Sequence, residues 1–213
     1  METPPEPAPP LIRYEMMAIL VNREPTPADE FAAILERHRE FLAAGGGGGR
    51  WETFVTEGGT ATGVILGVYL PADRKTIVAD RLVAKMAGEL PGAASGPAEQ
   101  AGLAHARLDG LDLRGVDLSY ADLCGASARG QDLGGANLEG CLATDSDFAG
   151  ANFQRANLAR ADFSRSDLSG CDFRDANLAG TDLEQTDLTG ADLRGADLTG
   201  ARLPGARMDN VRR

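Results

Sequence analysis

Two histidines, three cysteines and a run of five glycines are the residues of this chain with the widest chemical repertoire. A nucleophilic centre needs His within reach of Ser or Cys, with a carboxylate to orient it. Neither His38 nor His105 has such a set at a telling spacing. His38 falls on the apolar side of a helix pattern and reads as a packed or rim histidine. No Cys-x-x-Cys or His-x-x-His pair occurs, which removes a recognisable zinc site. Cys141 and Cys171 stand where small apolar residues recur and read as core residues. Cys124 stands on the outward side, where a thiol could react. Gly45 to Gly49 has the composition of a phosphate cradle, but Arg50-Trp51 follows where a P-loop needs Lys-Ser/Thr and a helix. A flexible linker fits those glycines better. Calcium would need several oxygens converging on one ion, and the abundant aspartates come singly, at intervals of five. The chain therefore reads as non-enzymatic, with no cofactor and no metal.

The elements that carry those residues fall into two unlike halves. From Ala101 to Asn210 the sequence divides, without insertion or deletion, into 22 five-residue words: AGLAH ARLDG LDLRG VDLSY ADLCG and onward to ARLPG ARMDN. The third position is Leu in 15 words, Phe in four, Ala in two (Ala128, Ala143) and Met in one (Met208). The second position is Asp in 12 and Asn in four. The first is nearly always small. A period of five matches neither the 3.6 of a helix nor the alternation of a long strand. In a short extended segment, positions one and three point one way and position two the other. Small and large apolar residues then share an interior while Asp or Asn faces water, and positions four and five turn the chain. Coils stacked at the ~4.8 Å spacing of paired strands close the backbone hydrogen bonds between them.

These words resemble the pentapeptide-repeat family, whose word is A(D/N)LXX. The resemblance spans residues 101–210 and implies a right-handed quadrilateral β-helix with four words per coil. On that geometry each word lies above the one twenty residues earlier. Leu113, Leu133, Phe153, Phe173 and Leu193 form one inward row, and Leu118, Leu138, Leu158, Leu178 and Leu198 its neighbour. Leu158 and Phe153 should be buried, and Asp162, Asp182, Asp187 and Asp197 exposed. Leu142 occupies an outward second position, so its word is expected to be flipped or distorted.

The first hundred residues differ. Residues 1–10 are Pro-rich and expected to be disordered; 11–90 read as a small mixed α/β region, 91–100 as a linker, and 211–213 as a tail. Ile12 to Val21 reads as a strand or a helix. Thr26-Pro27 reads as an N-cap and first helical residue, with Phe31, Ile34, Leu35, His38, Phe41 and Leu42 on one face and Gly45 as the stop. Trp51 to Thr56 and Ala61 to Leu70 read as strands of a hairpin. Residues 76–90 fit helix and strand alike. The overall expectation is an all-β solenoid with a small α/β region ahead of it.

Charge narrows the function. With Lys+Arg 21 against Asp+Glu 32 the net charge is −11, which opposes direct binding to nucleic acid or anionic lipid. No run approaches the ~18 apolar residues of a membrane span. The acidic start METPPEPAPP is unlike a signal peptide, and three cysteines make no disulfide framework, so the cytoplasm is the expected compartment. A protein-interaction scaffold is the leading reading. The resemblance also implies a second: members related to quinolone resistance engage DNA gyrase or topoisomerase IV as acidic mimics of DNA. For that role the most acidic face would carry Asp122, Asp145, Asp182 and Glu184. A solenoid must cap its ends. Phe31, Ile34, Leu35 and Trp51 are the natural cap of the first coil, and five residues after Met208 are too few for another. A homodimer through Leu198, Leu203 and Met208 is therefore expected, as the resemblance also implies.

Overall fold

The computed structural model describes residues 25–43, 103 and 105–213, together with the backbone of 50–56 and 64–70. From Arg107 onward the second position of each word but that of Asp112 pairs in parallel with its counterpart twenty residues away. One such row runs Asp117, Asn137, Asn157, Asn177 and Asp197. A twenty-residue repeat of five-residue words is four words per coil, so the expected four-sided solenoid is present. Its ladder is regular. Asn157 N–H donates to Ala136 O of the preceding coil at 2.9 Å. Leu158 N–H and Arg160 N–H donate to Asn177 O and Ala179 O of the next, at 2.8 and 2.9 Å.

The corners explain the rest of the word. The first-position N–H closes a turn on the preceding third-position carbonyl, as in Ala161 N–H to Leu158 O at 3.1 Å. The fifth residue of every word is left-handed: thirteen glycines, and nine others from His105 (φ 58°) to Asn210 (φ 56°). A positive φ at the third turn residue is the requirement of a type II turn. The second-position Asp or Asn serves the same turn. Its Oδ1 accepts the fourth-residue N–H, at 3.0 Å for Asp132 to Gly134 and 2.9 Å for Asp162 to Ser164 and for Asp197 to Thr199. These side chains are preferred because they mimic a backbone acceptor two residues back.

Inside, every third-position residue from Leu108 to Leu188 is at most 1% exposed, Leu158 and Phe153 among them. The two undersized positions are compensated along their own rows. Phe148 stands one coil beyond Ala128, and Phe163 one coil beyond Ala143, with Phe148 and Phe163 edge-on at 5.6 Å. Phe153 and Phe173 stack at 5.0 Å. The phenylalanines thus stand beside the undersized positions within one buried core.

Two expectations about outward positions are corrected. The word of Leu142 is not flipped: Leu142 bridges both Asp122 and Asp162, and its N–H donates to Ala121 O at 2.9 Å. Nor are all the second-position aspartates fully exposed. Asp197 is, but Asp162, Asp182 and Asp187 are half-buried, because each is overlapped by its row neighbours and tied to its own turn.

Ahead of the solenoid, α1 (Ala28–Ala43) begins where Thr26-Pro27 places it, with Phe31 N–H on Pro27 O at 2.9 Å. Phe31 is buried in the solenoid's core cluster, and Ile34 and Leu35 pack against it. Thr26 N–H donates to Arg107 O at 2.8 Å. The helix therefore caps the first coil, as expected. His38 is buried and stacks on Phe41 at 5.8 Å; burial lowers its pKa, opposed by Asp117. It is a packing histidine. Strands β1 (Arg50–Thr56) and β2 (Val64–Leu70) pair antiparallel, Arg50 opposite Leu70 and Thr56 opposite Val64. β2 falls within the predicted Ala61 to Leu70, of which 61–63 lie outside the described residues. The expectations for 1–10, Ile12 to Val21, 76–90, 91–100 and the Trp51 side chain lie outside the described residues.

Candidate interaction surfaces

With Leu and Phe filling the interior, the side chains able to meet another molecule lie on four outer faces and at the two ends. The face holding Asp122, Leu142, Asp162, Asp182 and Arg202 is the one singled out as most acidic, and it does not present an open acidic surface. Asp122 is only 1% exposed, its one hydrogen bond to the backbone coming from Cys124 N–H at 3.0 Å. Desolvation pushes its carboxyl up to about 6. Asp145 holds the Arg165 guanidinium with both oxygens, at 2.9 and 2.6 Å. Asp182 and Glu184 share Arg202, at 2.9 and 3.1 Å. Of the four predicted residues, Asp182 and Glu184 come together, Asp145 stands at a corner, and Asp122 is withdrawn from solvent.

Cys124 is corrected in the same way. It is fully buried, with Sγ 3.1 Å from Thr144 Oγ1, and burial beside Asp122 drives its thiol pKa far up. A thiol held protonated is a poor nucleophile. Cys171 is likewise pushed up to about 12 by burial, and donates to Phe148 O at 3.1 Å. Among the described residues no group of His, Cys, Asp or Glu is arranged to hold a metal ion.

The other faces divide by chemistry. Next to the first runs a row with Asp147, Asp167 and Asp187, where Arg129 reaches Asp147 at 2.7 Å and Arg207 reaches Asp187 at 2.8 Å. On the following face, arginines at fourth positions fold back on their own aspartates. Arg114, Arg174 and Arg194 lie 2.9, 2.6 and 2.7 Å from Asp112, Asp172 and Asp192. Hydrogen bonds from Arg194 hold the Asp192 carboxyl down to about 2. The fourth face is a ladder of amides. Asn137 donates to Asp117 at 3.0 Å, Asn157 to Asn137 at 3.1 Å and Asn177 to Asn157 at 3.0 Å. Beside it Glu139 accepts from Tyr120 Oη and Asn157 Nδ2, at 3.0 and 3.1 Å, and from Arg160. Asp132, Asp175, Asp197 and Asp209 carry no arginine at ion-pair distance among the described residues.

The pairing arginines of the last coil are the residues that sequence reasoning passed over. Arg202, Arg207 and Arg212 stand twenty residues after Asp182, Asp187 and Asp192. The signal was the change from Asp to Arg at the same position of the word. Arg cannot accept the turn's N–H, and in the word ARLPG the fourth residue is Pro204, which has none to give. At that end Leu198, Leu203, Met208 and Val211 are only partly buried against the core.

The pentapeptide-repeat family, described as "Pentapeptide repeats", matches eight copies over residues 99–130, 132–170 and 171–210. Among solved structures the chain is similar to HetL, a pentapeptide repeat protein involved in heterocyst differentiation regulation from the cyanobacterium Nostoc sp. strain PCC 7120. Identity is 27% and the TM-score 0.33, over 54% of this chain and 64% of HetL. It is similar to QnrB1, a plasmid-mediated fluoroquinolone resistance protein, at 28% identity and a TM-score of 0.38, over 49% of this chain and 52% of QnrB1. A pentapeptide repeat protein of the Arabidopsis thaliana thylakoid lumen is 29% identical with a TM-score of 0.20, over 42% of this chain and 66% of that one. The chain spans less than two thirds of the length of each. No curated protein sequence matches it.

Proposed function

The chain belongs to the pentapeptide-repeat family, and we propose that it works in the cytoplasm as a non-enzymatic scaffold binding a protein partner on the outer faces of its solenoid. One observation carries this reading. The interior is filled by Leu and Phe side chains at most 1% exposed between Leu108 and Leu188, which leaves binding chemistry to the outer lattice. That lattice is rigid, because the second-position Asp and Asn side chains are fixed by their own turns. It offers a partner fixed ion pairs on three sides and an amide ladder on the fourth. The test is capture from the source cell by the full chain, repeated with Asn157→Arg plus Asn177→Arg and with Asp172→Arg plus Arg174→Asp. A partner retained by the parent and lost with one face only supports the scaffold; equal capture by all three speaks against it.

A second reading, an acidic mimic acting on DNA gyrase or topoisomerase IV, draws on the net charge of −11. Fluoroquinolone resistance is the stated property of QnrB1. The pairing of Asp145, Asp182 and Glu184 with arginines weighs against the face first chosen for it. In a supercoiling assay run across a salt series, a mimic would inhibit or protect the enzyme. The effect would weaken with salt and with Asp182→Asn plus Glu184→Gln. No effect at excess protein removes this reading.

At the end of the rod, a second copy seated on Leu198, Leu203 and Met208 would cover their exposed surface. Sedimentation should then give a dimer at tens of micromolar and a monomer for Leu203→Asp. A monomer for both overturns it.

A further inference from the structure

The two sides of a coil are unlike. Toward the next coil each word offers two N–H donors and one carbonyl: Leu158 and Arg160 donate to Asn177 O and Ala179 O, and Ala156 O accepts Asn177 N–H. Toward the preceding coil it offers the complement: Asn157 O and Ala159 O accept from Leu138 and Gly140, and Asn157 N–H donates. A forward edge therefore fits a backward edge. The first coil presents its backward edge, and α1 lies against it. Thr26 N–H donates to Arg107 O at 2.8 Å, His38 hydrogen-bonds the Ser119 backbone, and Phe31 joins the core cluster with Leu103, Leu108 and Leu113. The helix thus supplies donors and apolar area where a preceding coil would. We infer that α1 is an autoinhibitory cap: it occupies the seat that fits the last coil of a second copy of this chain, and its displacement lets copies stack head to tail into one continuous solenoid.

Three observations select a second copy as the occupant. The first is polarity. The forward N–H groups of Leu198, Gly200, Leu203 and Gly205 find no acceptor among the described residues, and the backward carbonyls of Asp112 and Arg114 find no donor there. Surplus donors on one edge meet surplus acceptors on the other, and backbone groups taken from water need such partners. The second is the core. Leu198, Leu203 and Met208 are only partly buried and hold the same word position as Leu103, Leu108 and Leu113, so stacking would close one filled interior. The third is charge. A copy that continues the five-residue count past Arg213 enters turned by one face, which sets Asp112 over Arg207 and Asp117 over Arg212. Asp and Arg stack in that way within the rod, at Asp182 with Arg202 and Asp187 with Arg207.

The consequence is regulatory. Two forward edges brought together, as in the dimer proposed above, set donors against donors and stop at two copies. Unlike edges leave a free edge at each end, and such a heterologous contact does not close. With α1 in place the backward edge is taken and growth has no start. A partner that lifts the helix would begin assembly of a polar rod.

The test is the full chain carrying Phe31→Asp plus Leu35→Asp, with circular dichroism to check that the solenoid is retained. Sedimentation should show species of at least about fivefold the parent's mass that grow with concentration, since the contact is open-ended. Electron microscopy should show rods one solenoid wide. Thr26→Pro removes the N–H on Arg107 O without altering the apolar contact, and should assemble in the same way at higher concentration. Leu203→Asp blunts the opposite edge, and added to the first variant it should restore the parent's size. Asp112→Arg plus Asp117→Arg, which sets arginine against arginine, should do the same. Parent size in both α1 variants overturns the inference. So does assembly that survives the changes at Leu203 and at Asp112 and Asp117, because exposed apolar surface alone would then explain it. Amorphous aggregate in place of lengthening rods also overturns it. The parent's own size separates this reading from the dimer. A monomeric parent whose α1 variants lengthen supports the cap and removes the dimer; a dimeric parent whose variants stay dimeric does the reverse.

Discussion

The two ends of the solenoid are made of one word, and they differ in what lies against them. At the first coil α1 adds Phe31, itself 5% exposed, to the core cluster that holds Leu103, Leu108 and Leu113, which are at most 1% exposed. At the last coil Leu198, Leu203 and Met208 hold the same third position and remain half-exposed. The five-residue pattern decides which way a side chain points; the next layer decides whether it is dry. The outward patch at Leu142 makes the same point from the other side of the sheet. There, Cys124, Leu142 and Thr144 hold water-facing positions and are at most 3% exposed.

The contrast between covered and open layers can be broken most severely in the middle. Phe153 is fully buried and stacked on Phe173. Phe153→Ala should cost about 3–5 kcal/mol in urea denaturation. Phe31→Ala removes the cap and should cost about 3 kcal/mol. Met208→Ala, at the same word position on the uncovered coil, should cost only about 1 kcal/mol. Equal losses for Phe31 and Met208 would mean that the two ends are not different in kind.

Asp122 sharpens the comparison through pH. Its carboxyl titrates at about 6 in the folded protein against an ordinary 3.8, so folding favours the protonated form. Its unfavourable contribution is absent at low pH, grows as pH rises from about 4 to 6, and stays constant above. Asp122→Asn keeps the turn acceptor and removes the buried charge. It should raise stability by ~1–3 kcal/mol at pH 7.5, and the gain should vanish near pH 4. The open half has the opposite sign. Asp172, Asp187 and Asp197 are held below their ordinary value by hydrogen bonds from Arg174, Thr189 and Thr199 respectively. The stability they contribute is present above the ordinary carboxylate range and lost as pH falls through their lowered values. A melting profile of Asp122→Asn that runs parallel to the parent from pH 4 to 8 would show Asp122 to be solvated.

The smallest effect expected is at Arg202, paired with Asp182 and Glu184 but largely exposed. Arg202→Gln should cost under about 1 kcal/mol, and less in high salt, as for other surface ion pairs.

Most of the solenoid was legible before any coordinates, because its period is enforced by backbone closure: nearly every word presents a turn acceptor and a large apolar residue, and every one a left-handed corner. The rows Leu113 to Leu193 and Leu118 to Leu198 follow by counting. The candidate face was less legible for a definite reason. Counting charges on Asp122, Asp145, Asp182 and Glu184 treats each outward residue alone, whereas pairing depends on the residue twenty places on. Arg165 over Asp145 and Arg202 over Asp182 were available to the same count, and they turn an acidic face into a mixed one. Burial of Asp122 and Cys124 was not available, since no five-residue pattern encodes it.

The twenty-residue register also sets how such a gene can change length. Losing a single word leaves every third position apolar, so the shortened chain still closes a filled core. Everything downstream is then rotated by one face. Were a word lost between Asp182 and Arg202, the arginine would stand over Asn177, and its carboxylate partners would be left behind. Loss or duplication of a complete coil disturbs neither core nor pairing. Insertions and deletions in this lineage should therefore be tolerated by the fold in steps of one word, and by the surface only in steps of four.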